Sequence, residues 1–457
     1  MPAEAAVRAL GLAAAEPVLS DLSGRLRGAS MQVKIEKLIY GGEGLAHAEG
    51  TTVFVPFVLP EESAEIQVVE RKKNLVRARV EQILTPSSGR IAPRCRHFTV
   101  CGGCHYQHIL AEAQLGYKTE ILRETLRRIG HVQWTGPIVP HASSPWGYRN
   151  RAQWKVRPVD AKAADAASRA AIGYFGASSS ALCAVEECPI LSPLLEKTLA
   201  TLRGALAEGA LPVTLREIEA FANDDDTKLL LNASFAGMPR SPAPLAEEFR
   251  ALLPGLESIL MIDPGRDAME LFGPGFLTYQ VSGRAYRVGH LSFFQVNRYL
   301  LEELARTVAG SARGALALDL YAGVGLFSLP LAEAFDRVVA VEANPASARD
   351  LGVNVGAQGS RIEIQNADVE AFLKKWREKP DCVVLDPPRA GVSPGVLARL
   401  KALAPPAISY LSCEPSTLAR DLAVLTAAGY TLAEVHVFDL FPQTFHIESL
   451  VRLVRSQ

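Results

Sequence analysis

The sequence predicts a multidomain α/β protein with a small N-terminal β-barrel, a central α/β domain and a C-terminal doubly wound parallel sheet. Three observations carry this expectation. The chain has 457 residues, beyond the roughly 250–300 at which a single core stops growing. Residues 31–88 hold short alternating runs separated by Gly-rich and charged turns, the pattern of a small barrel. Residues 315–386 alternate buried-type strands with helical segments in the order β-α-β-α-β, which builds a parallel sheet. The expected boundaries are a loose tail over 1–30, the barrel over 31–88, the central domain over 89–288 and the C-terminal domain over 289–457.

Composition narrows the function classes. A formal net charge of −1 gives no global attraction to nucleic acid, so any such reading rests on local clusters. No apolar run reaches the roughly 18 residues of a membrane span. Ala9–Ala15 is short and is broken by Glu16 and Pro17, unlike a signal peptide. A cytoplasmic monomer without a membrane partner is therefore expected. Seven cysteines in such a chain point to metal binding or catalysis rather than a disulfide framework.

In the barrel, Gln32–Ile39 alternates as a first strand and Tyr40–Gly44 is a Gly-rich turn. Thr52–Val58, Glu65–Val69 and Val76–Leu84 follow. From Arg71 to Arg96 there are eight basic residues and one acid, Glu81, a face that can follow a phosphate backbone. The competing reading is an edge strand guarded by charge. The segment resembles a TRAM domain, a small RNA-binding barrel. Next come Cys95, Cys101 and Cys104, spaced C-x5-C-x2-C around Gly102 and Gly103, with Cys183 and Cys188 further on. Four sulfurs suit zinc or an iron–sulfur cluster. Leu110–Ile129 reads as a helix with charge on one face. Trp146–Arg157 mixes aromatics with Arg149, Arg151, Lys155 and Arg157, the composition that holds single-stranded RNA, or else an ordinary sheet with a basic face. Residues 160–169 and 176–181 read as surface loops.

The last third is the most strongly patterned. Ala315–Leu320 is a buried-type strand, and Tyr321-Ala-Gly-Val-Gly325 turns it into a helix. Arg337–Glu342 ends in an acid, residues 361–365 lead to Asp368, and Asp381–Asp386 runs into Pro387-Pro388-Arg389. Glycines let a backbone approach a ligand, and a strand-end acid can accept from ribose hydroxyls. Phe327 and Ser328 stand where a dinucleotide fingerprint needs its last Gly, which counts against a dehydrogenase. The order of these motifs resembles that of class I S-adenosylmethionine (SAM) methyltransferases. Apolar residues from Ile408 then run up to Cys413, and Pro415 opens a helix through Leu418, Leu422 and Leu425. A thiol at a helix N-terminus is expected to have a lowered pKa and to act as a nucleophile. A small buried Cys in a strand-end loop is the competing reading.

Taken together, these motifs resemble the RNA uracil-5-methyltransferase family, in its TRAM-bearing, iron–sulfur branch. The likeness rests on Ser292-Phe-Phe-Gln-Val-Asn297, Asp319–Gly325, Glu342, Asp386-Pro-Pro-Arg389, Ser412–Asp421 and Phe441–Glu448. It implies Cys413 as nucleophile on uracil C6 and Glu448 as the base that removes the C5 proton. It implies a SAM pocket lined by Gln295, Tyr321, Glu342 and Asp386, with Phe293 stacking on the base. It also implies a [4Fe–4S] cluster on Cys95, Cys101, Cys104 and Cys188, leaving Cys183 out, with zinc as second choice. The implied partner is RNA, rRNA ahead of tRNA. Glu414, Gln443 and Leu326 depart from the family's usual Asn, His and Asn. Two other readings are a methyltransferase for exocyclic amines, disfavoured by Arg389, and an RNA-binding protein on a decayed scaffold, disfavoured by intact Cys413 and Glu448.

Overall fold

A computed structural model describes residues 30–158, 170–310, 312–356 and 361–455. Residues 1–29 of the tail expected over 1–30, and the whole of the loop expected over 160–169, lie outside these. The chain divides into two compact units. One runs to Thr99 and adds Cys104–Tyr117 and Gln443–Phe445; the other comprises Val100–Gly103, Lys118–Pro442 and the chain from His446 on.

The first unit is a curled six-stranded sheet. Its strands are β1 (Ser30–Lys34), β2 (Lys37–Leu38), β3 (Glu43–Ala48), β4 (Thr51–Pro56), β5 (Ser63–Lys72) and β6 (Leu75–Thr85), in the order β1-β5-β6-β4-β3-β2. Alternation sets its inside: Ala64, Ile66 and Val68 of β5 are buried against Val53, Val55 and Val76. The run expected as one strand over 32–39 is broken. Ile35 N–H donates to the Glu62 carbonyl and Glu36 N–H to that of Leu45, so the chain changes partner from β5 to β3. The basic face is also thinner than the sequence suggests. Arg90 turns inward to the fully buried Glu62 carboxylate, donating at 2.6 and 2.7 Å. Glu62 accepts from the N–H groups of Leu59 (2.8 Å) and Ser87 (3.1 Å) as well. Arg77 pairs with Glu43 and Lys72 with Glu70, while Arg71, Lys73 and Arg79 are exposed.

The second unit contains β7 (Ile138–His141), β8 (Arg151–Pro158), β9 (Ala170–Phe175), β10 (Leu182–Ala184), β11 (Leu215–Ala222), β12 (Leu229–Phe235), β13 (Leu256–Asp263) and β14 (Ala268–Phe272). All but β7 form one sheet, β10-β9-β8-β11-β12-β13-β14. The Trp146–Arg157 segment leads into this sheet as β8. Trp154 and Tyr148 are fully buried, Arg151 pairs with Glu219 and Lys155 with Glu217. Trp154 and Tyr148 fill the core, and the facing strand β11 supplies the acids that pair with Arg151 and Lys155, while Arg149 and Arg157 donate to backbone carbonyls.

A hairpin of β15 (Phe276–Val281) and β16 (Arg284–Gly289) leads into the last sheet. That sheet is built from β17 (Gly314–Leu320), β18 (Phe335–Glu342), β19 (Ile362–Asn366), β20 (Cys382–Leu385), β21 (Ala407–Ser412), β22 (Tyr430–Phe438) and β23 (Glu448–Arg455). Their order is β19-β18-β17-β20-β21-β23-β22-β7. Strands β17 to β21 are parallel, and all but the edge strand β19 are largely buried, which is why those four read as apolar runs. Strand β23 enters antiparallel between β21 and β22. Asp368, the acid past β19, caps the helix Val369–Lys375 by accepting from Ala371 N–H at 2.9 Å.

The Glu62–Arg90 pair gives a test of the first unit. Glu62→Ala leaves a guanidinium without its carboxylate and should cost about 3 kcal/mol. Hydrogen exchange should speed across residues 30–85 and stay unchanged in β17–β21. Unaltered protection over 30–85 would show the pair to be dispensable.

Candidate active site

The carboxyl ends of the parallel strands gather the residues singled out in the sequence. Tyr321 follows β17, Glu342 ends β18, Asp386 follows β20 and Cys413 follows β21. The chain leaves β17 for β18 on one side and returns to β20 on the other, which opens a crevice at that reversal. The turn after β17 is shaped for a ligand. Tyr321 has φ 68°, a left-handed conformation costly for a side chain. It is held because the N–H groups of Tyr321 and Ala322 both donate to the Val341 carbonyl at 3.0 Å. A Cβ on Gly325 would meet Leu351 Cδ1 at 2.6 Å, whereas one on Gly323 would have nothing within 4 Å. Gly325 thus packs inward and Gly323 faces open space. The Glu342 carboxylate accepts from Gly323 N–H (2.8 Å) and Asn344 N–H (2.6 Å), so its orientation is fixed while it stays half-exposed.

The segment carrying Gln295 is tied to the same sheet. The buried Asp350 carboxylate accepts from Ser292 Oγ (2.6 Å), Gly289 N–H (2.7 Å) and Arg287 Nε (2.8 Å). Gln295 is buried, and Phe293 is 62% exposed, a position suited to an incoming planar group.

Cys413 and Glu448 are brought together by strand register. Ser412 lies opposite Ser449 in the β21–β23 ladder. Cys413 immediately follows that pair and Glu448 immediately precedes Ser449, so continuing the register by one step brings the two side chains to one face, and the Glu448 carboxylate acts on the thiol. Glu448 is buried. Burial, and then Asp386, pushes its carboxyl well above the usual range, with Arg389 opposing. Burial raises Asp386 to about 7, reinforced by Asp319. Asp319 is itself raised to about 7 by burial, against the hydroxyl that Ser328 donates to it.

The thiol departs from the sequence expectation. Cys413 is pushed up to about 11, first by burial and then by Glu448 and Asp386, with Arg389 opposing. The helix N-terminus does not prevail. Pro415 occupies the first helical turn without an N–H to offer, and Glu414 N–H donates to Ser412 Oγ at 3.2 Å. Burial thus favours the neutral thiol over the thiolate at Cys413.

Residues that the sequence reading left without a role hold this arrangement. The buried Asp421 carboxylate accepts from the Tyr410 hydroxyl (2.7 Å), Val392 N–H (3.0 Å) and Arg420 Nε (2.8 Å). Thr417 donates to the Arg389 carbonyl (3.1 Å) and Arg420 to that of Ala390 (3.0 Å). The helix after Cys413 therefore grips the loop bearing Asp386 and Arg389. Their signal in the sequence is helical spacing, which puts Thr417, Arg420 and Asp421 on neighbouring turns. Of the departures from the family pattern, Glu414 accepts from the Ser416 hydroxyl (2.7 Å) and Leu326 is buried. Gln443, in the first unit, exchanges hydrogen bonds with Gln114 at 2.9 and 3.0 Å.

The cysteines divide between the units. In the second unit, Cys101 bridges to Gly176 just past β9, and the Tyr174 hydroxyl of β9 lies 3.7 Å from Cys188 Sγ. Cys95 and Cys104 belong to the first unit. Cys183 is buried in β10 opposite Tyr174. Among the described residues, no three His, Cys, Asp or Glu side chains are placed to share one metal ion. No helix among them is long and apolar enough to cross a membrane.

Comparison with known proteins gives the following likenesses. The family model described as tRNA (Uracil-5-)-methyltransferase matches residues 363–456, the TRAM domain residues 24–80, and the TRM5/TYW2 methyltransferase domain residues 283–391. A protein of Shewanella piezotolerans named 23S rRNA (uracil(1939)-C(5))-methyltransferase is 31% identical, over 92% of this chain and 94% of its own. A protein of the same name from Alkalilimnicola ehrlichii is 33% identical, over 94% and 98%. The crystal structure of a Pyrococcus abyssi tRNA (uracil-54, C5)-methyltransferase in complex with S-adenosyl-L-homocysteine superposes with a TM-score of 0.71 at 26% identity, covering 93% of this chain and all of that one.

The raised thiol is directly testable. With Cys413 at about 11, its thiolate fraction should grow about tenfold per pH unit between pH 7 and 10. Alkylation by iodoacetamide, followed at the Cys413 peptide by mass spectrometry, should rise in step. Glu448→Gln removes a carboxylate and should speed alkylation at pH 8. A pH-independent rate would show a thiol already ionised.

Proposed function

Since this chain belongs to the RNA uracil-C5-methyltransferase family, we propose that Cys413 and Glu448 act in turn on one uracil ring of 23S rRNA. The chain is a SAM-dependent enzyme that methylates uridine in RNA at C5. The observation that supports the residue assignment is that Cys413 and Glu448 flank the last pair of the β21–β23 ladder, Ser412 with Ser449, at the carboxyl ends of the parallel strands.

The chemistry follows from what uracil lacks. C5 is a weak nucleophile until addition at C6 converts the intact ring to an enolate. The Cys413 thiolate adds to C6 and the electron pair passes to C5. SAM supplies the methyl group as a sulfonium, and C5 takes it. Glu448 then removes the C5 proton, the C6–S bond breaks and the thiolate is restored. A carboxyl held well above its usual range is a stronger base for that proton than one in water. Before the first step the thiol must lose its own proton, and Asp386 and Glu448 are the carboxyls beside it. In this reading Gln295, Tyr321, Glu342 and Asp386 line the SAM pocket, with Glu342 accepting from ribose hydroxyls, and Phe293 stacks on the base. The target is single-stranded or flipped, since a stacked uracil cannot reach the crevice. Exposed Arg71, Lys73 and Arg79 supply phosphate contacts. The named relatives support rRNA over tRNA as substrate.

For the cysteines, we propose Cys95, Cys101, Cys104 and Cys188 as ligands of a [4Fe–4S] cluster. The support is the C-x5-C-x2-C spacing, four sulfur donors, and the approach of Cys101 and Cys188 to one end of β9. Anaerobically purified protein should be brown with broad visible absorption and hold iron and sulfide. Colourless protein with about one zinc would replace iron by zinc on the same thiolates.

The mechanism separates two variants in kind. Cys413→Ala should form no covalent complex with RNA and no 5-methyluridine. Glu448→Gln should add to the ring and transfer the methyl group, then stall as a methylated RNA adduct that migrates slowly on a denaturing gel. RNA carrying 5-fluorouridine should trap the parent enzyme in the same way, because fluorine cannot leave as a cation. Methylation by Cys413→Ala, or normal turnover by Glu448→Gln, would overturn the assignment.

A further inference from the structure

Glu448 stands at the last pair of its ladder with β22, opposite Phe438. Ladder ends open more readily than their middles, yet a base must be held to within about half an ångström to work. The chain leaves this pair through residues 439–447. Four consecutive carbonyls at the start of that connection are each held by a buried side chain. Asn297 Nδ2 donates to Asp439 O (3.3 Å) and Leu440 O (3.1 Å). Lys118 Nζ donates to Phe441 O (2.9 Å), and the Tyr148 hydroxyl to Pro442 O (3.0 Å). Lys118, Tyr148 and Asn297 have no solvent exposure. Asp439 adds a 2.9 Å bond from its N–H to the His141 carbonyl, and its carboxylate accepts from Lys118 Nζ at 2.7 Å.

Stability alone does not account for this set. Burial pushes the Lys118 ammonium down, against the pull of Asp439. A buried ion pair is commonly no more stabilising than apolar residues of the same shape. What polar donors add is a single allowed path for the backbone, because each carbonyl has one partner and one direction. That path begins one residue after the partner of Glu448.

We propose that Lys118, Tyr148 and Asn297 are positioning residues that clamp the 439–442 backbone and so aim the Glu448 carboxyl at the C5 proton. The inference rests on the reading of Glu448 as the base. It predicts a defect in one step. Cys413 follows β21, and the clamp donors bond none of the β21 backbone, so addition and methyl transfer proceed while release slows.

The experiment compares Tyr148→Phe and the double variant Lys118→Met with Asp439→Asn against the parent and Glu448→Gln, in single turnover with RNA and SAM. In both clamp variants, methyl transfer should stay within about threefold and release of methylated RNA should slow about tenfold or more, so that the adduct accumulates. Melting temperature is followed in parallel. Parent-like release in folded clamp variants, with Glu448→Gln still stalled, would overturn the clamp and leave the base assignment standing. Transfer, release and melting temperature falling together would overturn it too, since a merely structural role moves all three. Normal release by Glu448→Gln would remove the base assignment itself, and the clamp with it.

Discussion

Asp386 and Glu448 are held out of water beside one thiol, Asp319 is buried next to Asp386, and Arg389 is the cation set against Glu448 and the thiol. That constraint governs the site. Asp319, Asp386 and Glu448 each ionise less readily than in solvent, because burial penalises the charged form and each charge raises its neighbour. The thiol is caught in the same field. On the proposed reading, a sulfonium entering this crevice favours the ionised forms, the thiolate included, so that cofactor binding and thiol activation become one electrostatic event.

Holding acids in place without water requires brackets. Asp350 gathers three donors to fix the segment before Gln295. Asp421 gathers three more to fix the loop after Asp386. Both carboxylates are themselves buried, and both lie outside the crevice. The same device recurs at the connection before Glu448, there with donors on side chains and acceptors on the backbone. Loops set by saturated polar partners have one conformation rather than a family of them, which is the property a site made of strand ends needs.

Much of this was legible in the sequence, and the failures have a common cause. Parallel strands buried on both faces betray themselves as apolar runs, so β17, β18 and β20 were found to within two residues at each end. The Gly-rich turn was legible because local backbone geometry demands glycine there, with Gly323 and Gly325 both at positive φ. What could not be read were properties set by distant partners. Arg90 looked like part of a basic face until Glu62 was seen beneath it. Lys155 looked free to meet phosphate until β11 brought Glu217 to it. Lys118 counted among the charges of an amphipathic helix, yet it is fully buried against Asp439. The thiol was judged by its own helix, whereas Asp386 and Glu448 approach from two other strands. Periodicity reports which face a residue occupies and is silent on what occupies the other side.

The pairing of Cys413 with Glu448 across a ladder also bears on how such a chain can change in descent. Adjacent rungs alternate faces. One residue inserted within β21 or β23 would send one of the two to the far side of the sheet, with the fold otherwise intact. Between those strands the chain crosses a helix, a strand and a loop, and these can gain or lose residues without altering which rungs meet. Inherited length variation should therefore collect in the connections and spare the two strands. The site endures by counting rungs, while the chain between them is free to drift.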